Sequence, residues 1–158
     1  MQPKFVQATL DLAREKMLLG EGGPFAALVV LQGAVVARGW NRVTIAKDPT
    51  AHAEIEAIRN ACRALDQFQL KGCVLYSSCE PCPMCWAAIH WARLDAVHFA
   101  GTRHDAAMAG FDDERLYREL SQAAPARQLP MTQAPEPYPQ RARELFDTWV
   151  RWPGKRAY

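Results

Sequence analysis

Ala51-His52-Ala53-Glu54 and, further along, Ser78-Cys79-Glu80-Pro81-Cys82-Pro83-Met84-Cys85 are the stretches on which the reading of this chain turns. His52, Cys82 and Cys85 are zinc-ligand side chains, and Glu54 is a carboxylate that need not be a ligand. A structural zinc usually takes four protein ligands, whereas a catalytic zinc keeps one position for water. The spacing therefore predicts one zinc per chain, held by His52, Cys82 and Cys85, with water or hydroxide as the fourth ligand. Such a metal brings the pKa of its water to roughly 7. Two thiolates weaken it as an acid, and helix N-termini aimed at the site would offset that. Glu54 is then the catalytic proton carrier.

The surrounding pattern predicts where these residues sit. Residues 51–65 carry Ile55, Ile58, Cys62 and Leu65 at helical spacing, which puts His52 and Glu54 in a first turn. Residues 83–93 read as a helix entered through Pro83, and residues three apart bring Cys82 and Cys85 together across its start. Upstream, Val6, Leu10, Ala13 and Met17 mark an amphipathic helix over 5–19. Residues 25–31 and 34–43, joined at Gln32-Gly33, read as a hairpin with one well-buried strand.

Further strands are expected over 72–78, 95–100 and 127–132, the last interrupted by Pro130, with helices over 112–120 and 140–152. An initial hairpin followed by alternating strands and helices implies an α/β fold of three layers, α/β/α, with a five-stranded mixed sheet covered by helices on both faces. The whole of 1–158 is expected to be a single zinc-dependent domain.

Composition limits the function. The 158 residues carry 19 basic and 17 acidic side chains, so a net charge of +2 gives no basis for obligate polyanion binding. No apolar run approaches roughly 18 residues, and the first nine residues lack the pattern of a secretory leader. A soluble protein of the cytoplasm with no membrane partner is expected. Five cysteines, three of them at 79, 82 and 85, suit metal chemistry in a reducing compartment better than a disulfide framework. Cys62 and Cys73 read as buried thiols, and His90 and His98 as core or surface histidines. His104, beside Asp105, reads as an exposed loop residue.

Other readings stay open at this point. A single histidine at a helix start is more often a cap, and an isolated Cys-Pro-Met-Cys would also serve as a redox pair. Cys79 is ligand-spaced from Cys82 and would close a four-ligand structural site, making the chain a zinc-binding interaction module rather than an enzyme.

The His-x-Glu and Pro-Cys-x-x-Cys pair is the signature of zinc-dependent base deaminases. The chain more closely resembles the small bacterial guanine deaminases of the cytidine-deaminase-like superfamily. The resemblance is carried by Gly22-Gly23-Pro24-Phe25, Asn41, Asp48-Pro49-Thr50-Ala51-His52-Ala53-Glu54, the Ser78–Cys85 stretch, Ala109-Gly110-Phe111-Asp112-Asp113 and the terminal Tyr158.

It implies hydrolysis of guanine to xanthine and ammonia, in purine catabolism or salvage. Phe25 would pack on the base, Asn41 and the backbone near Ala53 would bond its edge, and Asp113 would act catalytically or recognise the amino-bearing edge. It also implies a homodimer in which residues 135–158 cross to the partner, with Tyr158 closing the partner's site. Taken without the family, Phe25 is more simply core, Asn41 a turn residue and Asp113 a first-turn helix charge.

The runner-up is a tRNA adenosine deaminase forming inosine, which shares the zinc signature. It requires an RNA groove, for which Arg141, Arg143, Arg151, Lys155 and Arg156 are candidates. That family, however, typically has Val-Pro-Val where this chain has Gly23-Pro24-Phe25, and nothing obvious to match Phe111-Asp112-Asp113. Deamination of another aminopurine, guanosine or a triazine is the remaining enzymatic alternative.

Overall fold

The computed structural model describes residues 1–123 and 126–156. Its elements run α1 (Pro3–Leu18), β1 (Ala26–Leu31), β2 (Ala34–Trp40), α2 (Val43–Ala46), α3 (Ala53–Ala64), β3 (Cys73–Cys79), α4 (Pro83–Trp91), β4 (Ala96–Gly101), α5 (Arg103–Met108), α6 (Glu114–Ser121) and α7 (Tyr138–Arg151). They fall into two compact units, Met1–Glu114 and Arg115–Tyr158.

The first unit is built on a four-stranded sheet of order β2-β1-β3-β4. β1 is antiparallel to both neighbours and β3 is parallel to β4, so the sheet is mixed. β1 lies between two strands and is covered on both faces, which is why Ala26–Leu31 is an unbroken apolar run. Gln32 and Gly33, both at positive φ, make the two-residue turn to β2.

Alternation along β3 sorts the core. Cys73 and Leu75 point to the same side as Ala27 and Val29 and pack with Ala53, Ala57 and Ala61 of α3 and Ile89 of α4. Tyr76 points to the other side, with Leu28 and Val30, against Phe5 of α1. Each fully buried Leu or Val contributes roughly 1.5–3 kcal/mol. The layers are therefore α1, sheet, and α3 with α4, as the α/β/α expectation requires.

The expected fifth strand is absent. Residues 127–132 form no strand: Pro130 has no N–H to donate, and the Gln128 N–H goes to the Glu119 carboxylate (3.1 Å) instead of a ladder. Two short helices, α2 and α5, lie where no helix was read. The buried stripe of α1 is Phe5, Thr9 and Ala13, while Leu10 and Met17 are exposed. Thr9 can occupy the core because its hydroxyl bonds the Phe5 carbonyl at 2.6 Å.

α3 meets the sheet through Ala53, Ala57 and Ala61, and Gly39 of β2 admits its backbone. A Cβ on Gly39 would lie 2.2 Å from the Ala57 nitrogen and 2.3 Å from the Ala53 carbonyl oxygen. In the second unit, α7 leaves Leu145, Phe146, Trp149 and Val150 exposed, and Trp149 packs on Trp152. Among the described residues no helix is long and apolar enough to cross a membrane.

Candidate active site

The topology gathers four chain crossings at one end of the sheet: the start of β1 and the ends of β2, β3 and β4. Phe25 precedes β1, Asn41 follows β2, Cys79 ends β3 and Arg103 follows β4, so residues distant in sequence share one rim. α3 and α4 both begin there, with His52 and Cys82 as their N-caps.

Local bonding explains where α3 starts. The Asp48 carboxylate accepts from the Thr50 N–H (2.8 Å) and hydroxyl (2.7 Å), and the Arg42 N–H bonds the Ala51 carbonyl (2.9 Å). The bonds from Thr50 also hold the Asp48 carboxyl below its ordinary pKa. The chain thus turns at 48–51 and delivers His52 ahead of the helix and Glu54 into its first turn.

His52 Nδ1 lies 3.7 Å from Cys82 Sγ and 3.6 Å from Cys85 Sγ. A tetrahedral zinc with Zn–N roughly 2.0–2.1 Å and Zn–S about 2.3 Å would require an N···S separation of about 3.6 Å. All three ligand atoms lie within 4.8 Å of one another. Cys79 is outside this group: its thiol bonds the Thr102 carbonyl at 3.5 Å, and burial with the nearby Glu54 charge pushes its pKa up to about 11. The donor set is therefore the open one, His52, Cys82 and Cys85.

The charge state of these groups suits a metal. The bond from the Cys85 thiol, then the His52 ring, draws Cys82 down to about 4, a value that burial opposes. Cys85 is pushed up because its proton bridges to Cys82 and because the thiol is buried. His52 is raised chiefly by its bond to Cys82. Two helix starts add positive potential around the thiolate.

Glu54 is buried, at 6% exposure, and burial raises its carboxyl pKa. Its Oε1 accepts from Ser77 Oγ (3.4 Å), and its Oε2 faces Cys85 Sγ (3.5 Å).

A cavity of about 450 Å³ opens beside this cluster, a size within the small-molecule range of roughly 300–1,000 Å³. His52, Glu54 and Cys82 line it together with Phe25, Asn41, Ala53 and Asp113; Cys85 lies behind, fully buried. His52, Cys82, Cys85, Glu54, Phe25, Asn41, Ala53 and Asp113 are thus brought together here, and the basic residues Arg141, Arg143, Arg151, Lys155 and Arg156 are not among the lining. Tyr158 lies outside the described residues.

The Asn41 backbone is closely approached by Gly22, where an added Cβ would lie 1.8 Å from the Asn41 carbonyl oxygen. Asn41 Oδ1 accepts the Val43 N–H at 3.3 Å, which fixes the amide orientation and leaves Nδ2 as the donor available to a ligand. Phe25 is met edge-on by Phe111, ring centroids 4.8 Å apart. Asp113 is raised by burial and then by the Cys82 charge, with Arg103 opposing.

The sequence assigned no role to several wall residues, among them Glu80, Arg103 and Phe111. Glu80 and Arg103 are joined where the Arg103 N–H bonds the Glu80 carboxylate at 3.1 Å, tying the cysteine loop to the start of α5. Phe111 was noted only as part of a motif. The one available signal was Thr102-x-x-Asp105, which closes a capping box at the start of α5 (Thr102 N to Asp105 Oδ2, 2.7 Å).

An open zinc donor set at two helix starts, a buried carboxylate beside it and a small-molecule cavity define a zinc-dependent deaminase. Residues 1–101 match the model of the cytidine and deoxycytidylate deaminase zinc-binding region, and the chain belongs to that family. Within it, the chain is 51% identical over 129 residues to the guanine deaminase of Bacillus subtilis, covering 82% of this chain and 83% of that one. The X-ray structure of a guanine deaminase from B. subtilis matches with a TM-score of 0.95 at 44% identity, covering 100% of this chain and 99% of the other. A tRNA-specific adenosine deaminase of Agrobacterium fabrum is 50% identical over 76 residues, which is 48% of this chain and 50% of that protein.

Proposed function

We propose that the chain hydrolyses guanine to xanthine and ammonia, with one zinc held by His52, Cys82 and Cys85. The observation that carries this reading is 51% identity to a guanine deaminase across more than four-fifths of both chains, whereas tRNA deaminases match either at 50% identity over 48% of this chain or at 34% over 74% of it. The cavity supports it, since the Asn41 amide donor, the Asp113 carboxylate and the Phe25 ring line one wall system of a size suited to a flat purine.

When bound, zinc would supply a Lewis acid that brings water near its pKa at neutrality. The chain's own residues do the rest. Glu54 takes one proton from the attacking water and delivers it to the ring nitrogen beside carbon 2, then moves a second, from the new hydroxyl on carbon 2, to the amine as the C–N bond breaks and ammonia leaves. Asn41 Nδ2 donates to an acceptor on the purine edge, Asp113 accepts from the N–H edge that carries the amine, and Phe25 packs on the ring face. The first-turn N–H of Ala53, one of those that α3 leaves without an intrahelical partner, is directed at the same edge.

The same proposal covers assembly and location. Residues 1–158 act as one deaminase domain, and residues 135–158 cross to a second copy to form a homodimer, with Tyr158 at the partner's site. The apolar stripe Leu145, Phe146, Trp149 and Val150 on α7 and the exposed Trp86 and Trp91 on α4 support this, being suited to burial in an interface. Three thiols around one donor set favour the reducing cytoplasm.

The test is ammonia release from guanine, guanosine, adenine, cytosine, cytidine and a tRNA anticodon hairpin, with zinc content measured in parallel. Guanine is the expected substrate. Turnover confined to the hairpin would overturn the reading.

A further inference from the structure

The two oxygens of Glu54 face different neighbours, and that division has a source in the sheet. Ser77 follows Leu75 on the same face of β3, so its side chain is turned toward α3 and not toward α1. It is buried, at 3% exposure, in a place where an unpartnered hydroxyl would be costly. Its Oγ lies 3.4 Å from Glu54 Oε1 and 3.5 Å from the Cys79 N–H. A backbone N–H can only donate, so one lone pair of Oγ faces Cys79 and the hydroxyl proton is directed at Glu54.

The second oxygen, Oε2, faces Cys85 Sγ at 3.5 Å. With metal bound Cys85 is a thiolate and has no proton to offer. Among the described residues Ser77 is then the side chain that still donates to this carboxylate. In ligand-free sites such bonds are commonly long and shorten in the working complex.

We infer that Ser77 is a positioning residue for the reaction: its hydroxyl anchors Glu54 Oε1 and so aims Oε2 at the water and the purine. A carboxylate free to rotate about its last torsion would spend part of its time with neither oxygen aligned, and misplacement of this kind lowers the rate of the chemical step without changing how the base is held. The inference rests on Glu54 being the proton carrier.

The experiment compares Ser77→Ala, Ser77→Thr and Ser77→Val with the unaltered protein on whichever amine of the substrate panel it deaminates. A failure of the guanine assignment is thereby separated from a failure of this one. Ser77→Ala is expected to lower kcat by roughly 10- to 30-fold, the scale of a hydrogen bond to a charged group, with KM and zinc content unchanged and Tm lowered by the loss of the two bonds of this buried hydroxyl. Thr and Val have the same shape, so Ser77→Thr should retain most of kcat while Ser77→Val should not.

A second readout needs no turnover. The carboxylate stretch of Glu54 in the infrared, identified by its loss in Glu54→Gln, should move in Ser77→Ala and Ser77→Val and stay in Ser77→Thr. Unaltered kcat in Ser77→Ala overturns the inference. So does equal activity of the Thr and Val proteins, a comparison that still decides the matter if the alanine variant does not fold.

Discussion

Replacing Gly39 by alanine should impair catalysis although Gly39 touches no substrate. Its added Cβ would lie 2.2 Å from the Ala57 nitrogen, 2.3 Å from the Ala53 carbonyl oxygen and 2.9 Å from the Ala57 Cα, all backbone atoms of α3. Ordinary contact needs roughly 3.5 Å, so the helix must retreat by about 1 Å, and no rotamer change can relieve the clash. Overpacking of this kind costs about 1–3 kcal/mol, which for a chain of this size lowers Tm by roughly 2–12 °C. Because α3 carries His52 and Glu54 while Cys82 and Cys85 belong to α4, the same retreat opens the site. A misplacement of about 1 Å costs on the order of 100-fold in kcat.

Steady-state ammonia release and a thermal melt followed by circular dichroism read the two effects. Gly33→Ala is the control: that glycine has φ +80 and nothing within 4 Å of the added atom, so strain in a distant turn should lower Tm and leave kcat intact. A Gly39→Ala protein with ordinary kcat would refute the claim that the Gly39 contact sets the site.

Glu54→Gln should retain zinc, measured by metal analysis, and lose on the order of 100- to 10,000-fold in kcat, because the amide cannot carry the proton. Asp113→Ala should reduce kcat/KM for guanine with little change in Tm, since the residue lies on the cavity wall and outside both core clusters. Removal of residues 154–158 should depress guanine turnover if Tyr158 closes a site; unaltered turnover would exclude that role. Chelation should abolish activity and added zinc restore it, and calorimetric zinc affinity should fall as pH is lowered, because the proton held up on Cys85 and that on His52 compete with the metal for their ligand atoms.

The chemistry was legible because metal ligation depends on residue type and short spacing. His52-Ala53-Glu54 and Cys82-Pro83-Met84-Cys85 lie at helix starts, where geometry is local and Pro83 announces the boundary. The layer order was legible for the same kind of reason, since Ala26–Leu31 is apolar throughout and the helices alternate with strands. The fifth strand was not. Pro130 was visible, yet the loss of the Gln128 N–H to a carboxylate nine residues earlier was not. The faces of α1 and α3 were legible in part: Val6 and Ala13 of α1, Ile58 and Cys62 of α3 and Leu65 at its end do pack on the core, but Leu10 and Met17 are exposed and the buried side chains include Thr9, Ala57 and Ala61, which closeness of approach selects.

By itself the sequence determined the candidate ligands, the carboxylate placed beside them and the α/β/α order, because each follows from local spacing and periodicity. Tertiary structure alone decided that Cys79 stays out of the metal group, that Arg103 and Glu80 join the wall, and that Ser77 reaches Glu54. These depend on strand register and on the Gly39 contact, which bring residues 23 positions apart within hydrogen-bonding distance. No pattern along the chain encodes a separation between two of its turns.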